Sequence, residues 1–168
     1  PATKGNIDYS YDANGNLTSD GNKEITAIQY NHLNLPELIT TNKGTIAYTY
    51  DAGGNKLKKV THEPSATVQK EGTNYTTPVS TTTNYLNGAV YESKQYNHGA
   101  LAALNYNDQL QFIPHEEGRL RYKPASGSTA ASLQWDYFLK DHLGNVRMVL
   151  TEEKDTVRYL AATVEDAT

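Results

Sequence analysis

Cysteine is absent from these 168 residues. That excludes disulfides, thiolate metal sites and cysteine nucleophiles within them, and it leaves the compartment open. Long apolar runs are missing too: no window approaches a transmembrane length, so no membrane insertion is expected. Phenylalanine, methionine and tryptophan are scarce, at two, one and one. Only 37% of residues are hydrophobic, and the mean hydropathy of −0.69 is low for a chain long enough for one domain with a real core. A basic stripe is lacking as well. The net charge of −4 and a pI near 5.7 argue against phosphate-backbone binding, so no nucleic-acid partner is expected. The short cluster Lys56, Lys58, Lys59 reads as a solvated strand face. Helical periodicity is almost missing. Its nearest candidate, residues 97–104, carries Gly99 and lacks an N-cap pattern, and reads as a loop or one turn.

Tyrosine fills the space left by the other aromatics, with 13 copies. Its ring suits a pleated surface while its hydroxyl reaches water or a neighbour, as in a thin sheet. The tyrosines repeat in register. The run Tyr9-Ser10-Tyr11-Asp12-Ala13-Asn14-Gly15-Asn16-Leu17 returns as Tyr48-Thr49-Tyr50-Asp51-Ala52-Gly53-Gly54-Asn55-Lys56-Leu57. A weaker copy, residues 28–36, lies between them around Tyr30, so the anchors Tyr11, Tyr30 and Tyr50 stand 19 and 20 residues apart. Near the end, Asp141-His142-Leu143-Gly144-Asn145-Val146-Arg147 keeps the Asp-x-x-Gly-Asn core. A degenerate copy at residues 112–120 keeps the glycine, Gly118, without the aspartate.

Each copy has a physical reading. Ile7, Tyr9 and Tyr11 alternate, as do Ile46, Tyr48 and Tyr50, with the period of a half-buried strand. In the next stretch Asp12, Asp51 or Asp141 can bind backbone amides just ahead of it. Gly15, Gly54 or Gly144, or an asparagine such as Asn16, Asn55 or Asn145, accepts the positive φ of a tight hairpin. A second strand then follows, so one unit of some 20 residues is a hairpin. The fold class expected is all-β: tandem antiparallel hairpins forming a twisted sheet, with little or no helix.

Composition divides the chain further. Residues 1–61 hold hairpin repeats. Residues 62–84, rich in Thr and Ser with Pro64 and Pro78, read as a loop or insertion that could contain an edge strand. Residues 85–122 hold degenerate hairpins, 123–132 a small-residue loop, and 133–168 a distinct terminal segment. The opening Pro1-Ala2-Thr3 and the closing Glu165-Asp166-Ala167-Thr168 suggest an excerpt of a longer protein.

Catalytic and metal-binding readings find weak footing. Asp12 to Asn16 has its glycine at loop position 4 rather than 6, and Lys23 at position 12 where a calcium loop needs glutamate. Asp141-His142 are adjacent, and on a strand they would point to opposite faces, unlike a triad. His32, His62, His98, His115 and His142 lack paired metal spacing. Glu116-Glu117 and Glu152-Glu153 are neighbours in sequence only and read as a charged rim. No cofactor, metal or catalytic residue is expected. The exposed tyrosines either stack on a ligand or, as repeat packing favours, ladder against each other.

The tandem Tyr-x-Tyr-Asp-x-x-Gly-Asn-x-Leu units resemble the YD repeats of the RHS (rearrangement hotspot) family over residues 7–61. Residues 135–150, with the Asp-His-Leu-Gly-Asn-Val-Arg run, resemble that family's RHS repeat-associated core. The continuation through residues 161–165 is similar to Bacteroidota-type members. The resemblance implies a β-ribbon spiralling into a hollow shell, with a variable C-terminal domain, often a toxin, after the core. In many members an aspartate site after the core releases that domain, but no Asp-Pro-x-Gly-Leu motif is present here. The partners implied are neighbouring repeats and the C-terminal domain of the same polypeptide, with secretion machinery or another surface protein outside it. The location implied is secreted or cell-surface. Two alternatives stay open: a surface adhesin-like module recognising a glycan or protein through its tyrosine-rich sheet, and a passenger of a secretion system.

Overall fold

A computed structural model describes residues 8–152. Within them the chain is nearly all β, with twelve strands and one short 3₁₀ helix. It divides into two compact units with the boundary between Pro114 and His115. The first unit contains β1 (Tyr9–Tyr11), β2 (Leu17–Asp20), β3 (Ile25–Tyr30), β4 (Pro36–Thr41), β5 (Gly44–Tyr50), β6 (Lys56–Lys70), β7 (Thr73–Leu86), β8 (Ala89–Tyr96) and β9 (Tyr106–His115), the last ending at the boundary. Each strand pairs antiparallel with its predecessor in sequence, so the unit is a chain of consecutive hairpins. This is the tandem-hairpin architecture that the tyrosine alternation predicts. The continuation of the alternation at Ile7, and the core-like run at residues 161–165, lie outside the described residues.

One expectation is overturned. Residues 62–84 are not a loop: they make up most of β6 and β7, the two longest strands, at 15 and 14 residues. Threonine's branched side chain favours a pleated ladder, and Thr61↔Thr81, Thr67↔Thr76 and Val68↔Tyr75 are directly opposed. The two prolines that suggest a break fall in one irregularity of that ladder. Glu63 pairs with Val79 and Ala66 with Thr77, which leaves Pro64 and Ser65 facing Pro78. A proline has no amide to donate, and a bulge is where a sheet tolerates that loss. The ladder turns at Glu71-Gly72, both at positive φ (51° and 78°), the primed geometry that matches strand twist.

The interior of the sheet is thin. Among the described residues the buried apolar side chains are Val79, Val90 and Leu101. Leu101 belongs to the 3₁₀ helix Gly99–Leu104, which forms where a single turn or loop is expected. His98 caps it by accepting the Ala100 amide at Nδ1, and the same imidazole packs on Tyr75 with centroids 4.9 Å apart.

The second unit contains β10 (Gly118–Lys123), β11 (Ser132–Lys140) and β12 (Val146–Thr151). It begins at His115 rather than at residue 133, because β10 pairs with β11 residue for residue from Gly118↔Tyr137 to Lys123↔Ser132. The pleat separates two faces. Leu120↔Trp135, Tyr137↔Leu150 and Leu139↔Met148 are apolar pairs on one side, and Arg119↔Asp136↔Thr151 crosses the other.

Candidate functional site

The repeated Asp-x-x-Gly-Asn stretch forms one local structure three times over. At Asp12, Oδ1 accepts the amides of Asn14 (2.9 Å) and Asn16 (2.8 Å), and Oδ2 accepts the Asn16 side-chain amide at 2.9 Å. At Asp51 the same oxygens accept Gly53 N (2.9 Å), Asn55 N (2.8 Å) and Asn55 Nδ2 (2.9 Å). At Asp141 they accept Leu143 N (2.9 Å), Asn145 N (2.9 Å) and Asn145 Nδ2 (3.2 Å). In each turn the aspartate amide donates to the carbonyl four residues on, and the glycine amide donates back to the aspartate carbonyl. Gly15, Gly54 and Gly144 take φ of 83°, 84° and 83°. A carboxylate that accepts three N–H donors prefers its charged form. The bonds from Asn16 and Asn55 accordingly hold Asp12 and Asp51 below the usual carboxylate range, and those from Asn145 do so for Asp141.

The weaker copy has the same geometry with different atoms. Asn31 Oδ1 accepts the amides of Leu33 (2.9 Å) and Leu35 (3.0 Å), and Asn34 takes the positive φ, 56°, in place of glycine. One side-chain oxygen and one residue tolerant of the left-handed region suffice. Adjacent turns touch as well: Asn16 Nδ2 donates to Asn34 Oδ1 at 3.1 Å.

The anchor tyrosines tie one repeat to the previous one. The Tyr30 hydroxyl donates to the Leu17 carbonyl at 2.8 Å, and the Tyr50 hydroxyl to the Pro36 carbonyl at 2.9 Å. Each acceptor is the residue just after the preceding turn's fifth position. Burial, with the neighbouring Tyr48 second, pushes the Tyr50 hydroxyl pKa up. Tyr48 lies 6.2 Å from Tyr50 between centroids, and the Lys56 ammonium stands 4.5 Å above the Tyr48 ring. Tyr9 and Tyr11 depart from the half-buried pattern. They are 45% and 62% exposed, and Tyr9 OH accepts Asn22 Nδ2 at 3.1 Å.

The remaining predicted residues sit in the third turn and, for Arg147, at the start of β12. Asp141 and His142 lie in the turn after β11, not on a strand, so the opposite-faces argument does not apply to them. Asp141 is instead committed elsewhere: besides the turn amides it binds Arg147, with Nε at 2.8 Å and Nη2 at 2.7 Å. His142 is exposed at the turn's corner. A histidine does meet a serine between β6 and β7, where His62 Nδ1 lies 3.0 Å from Ser80 Oγ. Among the described residues no carboxylate hydrogen-bonds His62, so the contact is a cross-strand pair without the third member of a triad.

Three arrangements were missed in the sequence reading. Asp136 is 1% exposed and clamped by Arg119 Nε and Arg121 Nε, both at 2.9 Å. Led by the Arg121 bond, these contacts lower its pKa to about 2 against the cost of burial. The available signal was Arg-x-Arg at strand period, opposite a lone acid inside Trp135-Asp136-Tyr137. Tyr106 OH donates to Glu92 Oε1 at 2.5 Å, and burial followed by that carboxylate raises the Tyr106 pKa far above its ordinary value. In the second unit His115 packs edge-on to Trp135 and Tyr137 at 5.0 and 5.7 Å between centroids.

No protein-family model, curated protein or solved structure matches this chain.

Proposed function

We propose that the chain is a structural scaffold segment of an RHS/YD-repeat secreted or cell-surface protein. It forms part of a wall that encloses or presents a C-terminal effector domain, with neighbouring repeats and that domain as its partners. The observation that carries this reading is the latch from Tyr30 to the turn at Asp12 and from Tyr50 to the turn at Asn31. A hairpin that hydrogen-bonds to its predecessor at a fixed register is a unit for propagating a surface, as stacked repeats do. The turn carboxylates also fit this role, since backbone amides and Asn or Arg side chains occupy their oxygens.

The test is protease challenge and electron microscopy of the entire polypeptide that contains this segment. Hollow particles with a protected C-terminal portion are expected. Particles without an interior, or a C-terminal portion digested as fast as the free domain, would refute the enclosing wall.

A further inference from the structure

Beyond that scaffold role, we propose that the first unit carries a site for an arginine side chain, in a cleft that Asp108 helps to line. The cleft is about 430 Å³ and is lined by Leu57, Asn84, Tyr85, Leu86, Tyr91 and Asp108. That size lies within the range of small-ligand sites. Its apolar walls are open to solvent, with Leu57 44% and Leu86 62% exposed.

Asp108 reaches this place through a defect in the ladder. Glu92 pairs with Gln109 and Lys94 with Tyr106, so Ser93 on β8 faces both Asn107 and Asp108 on β9. Bulges of this two-against-one kind re-aim side chains. Asp108 takes the left-handed φ of 44° and is held there by its amide, which donates to Ser93 Oγ at 2.8 Å. Its Oδ1 accepts Asn84 Nδ2 at 3.2 Å and Ser93 Oγ at 3.4 Å. Both donors are neutral and both use the same oxygen. Among the described residues no cation pairs with this carboxylate, whereas Asp136 and Asp141 each have arginine.

A negative charge without a cationic partner, set among apolar walls, selects a ligand with an aliphatic stem and a cationic head. Arginine fits best: its planar fork matches the open carboxylate edge, and its face can stack on Tyr91, which stands directly opposite Asn84 on the same face of the sheet. A sugar could use Asp108 and Asn84, but would leave hydroxyls dehydrated against Leu57 and Leu86.

The experiment is a titration of the chain with N-acetyl-arginine N-methylamide, read by NMR shifts of the Asn84 side-chain amide and the Tyr91 ring. Saturable shifts confined to the cleft are expected, weakening with added salt. Asp108→Asn can keep the left-handed turn, and should bind roughly tenfold more weakly or worse. Leu86→Ser alters a side chain that is 62% exposed, keeps the fold, and should also weaken binding. It decides the matter if Asp108→Asn fails to fold by circular dichroism. Shifts that do not saturate, unchanged binding by the folded variants, or equal binding of N-acetyl-leucine N-methylamide or methyl glucoside would overturn the proposal.

Discussion

Asn31 and Asp51 hold equivalent turns, and their comparison shows what the position needs. Both supply a side-chain oxygen to two amides, and only Asp51 adds a bond to the fifth residue's side chain. Asp51→Asn keeps an oxygen for the two amides but sets an NH2 group against Asn55 Nδ2, so it is expected to lower the melting temperature modestly, and Asp51→Ala, which also strands the two amides, to lower it further. Gly54 separates conformation from size in the same way. Its φ is 84°, and an added Cβ would sit 3.2 Å from Leu35 Cδ1. Gly54→Asn should be tolerated, since Asn34 adopts φ 56° in the sister turn, whereas Gly54→Val should lower the thermal midpoint distinctly. At the latch, Tyr50→Phe removes the bond to the Pro36 carbonyl and should cost about 1 kcal/mol in denaturant unfolding. Tyr50→Ala should cost about 3 kcal/mol. Tyr11→Phe, on a 62% exposed ring, serves as the near-neutral control.

Among elements, two glycines set how closely strands approach. A Cβ on Gly44 would lie 2.0 Å from the His62 carbonyl, and one on Gly118 would lie 2.0 Å from the Asp136 carbonyl. Both substitutions to alanine force backbone to move and should cost at least about 2 kcal/mol each, measured by urea unfolding. The sequence marks Gly118 as in register, but not the reason: the clash is with a strand 18 positions away. The misreading of residues 62–84 has a similar cause. Pro64, Pro78 and a run of threonine and serine carry loop composition, yet the prolines face each other across a single bulge. Composition records neither pairing nor register, and a proline costs a ladder only the bond it would have made.

For each compact unit taken whole, the buried charge of the second gives the clearest pH dependence. Asp136 has a pKa of about 2 when folded, below its ordinary 3.8. A depressed pKa means the charged form stabilises the fold, and that stabilisation is complete above the unfolded value. It is lost as pH falls through the window from about 4 to about 2, for a total of about 2 kcal/mol. Trp135 is the chain's one tryptophan and neighbours Asp136, so its fluorescence reports this unit. Acid titration should show the transition in that window, and Asp136→Asn should flatten it while destabilising the unit at neutral pH. A transition unchanged by Asp136→Asn would place the acid sensitivity elsewhere.

Some of this protein is local and was legible from residue order alone. A two-residue alternation of tyrosine, an aspartate two and four residues before the amides it binds, and a glycine or asparagine at the left-handed corner all act within one hairpin. The hairpin repeat, the all-β class and the turns at Asp12, Asn31, Asp51 and Asp141 follow from contacts spanning at most five residues. Other features depend on which strands lie side by side. These are the tyrosine latch 13 and 14 residues back, the Arg119–Asp136–Arg121 clamp, the proline-bearing long strands, and the bulge that leaves Asp108 beside Asn84. Their partners are set by register, and register is decided by the packing of the whole ladder rather than by any stretch within it.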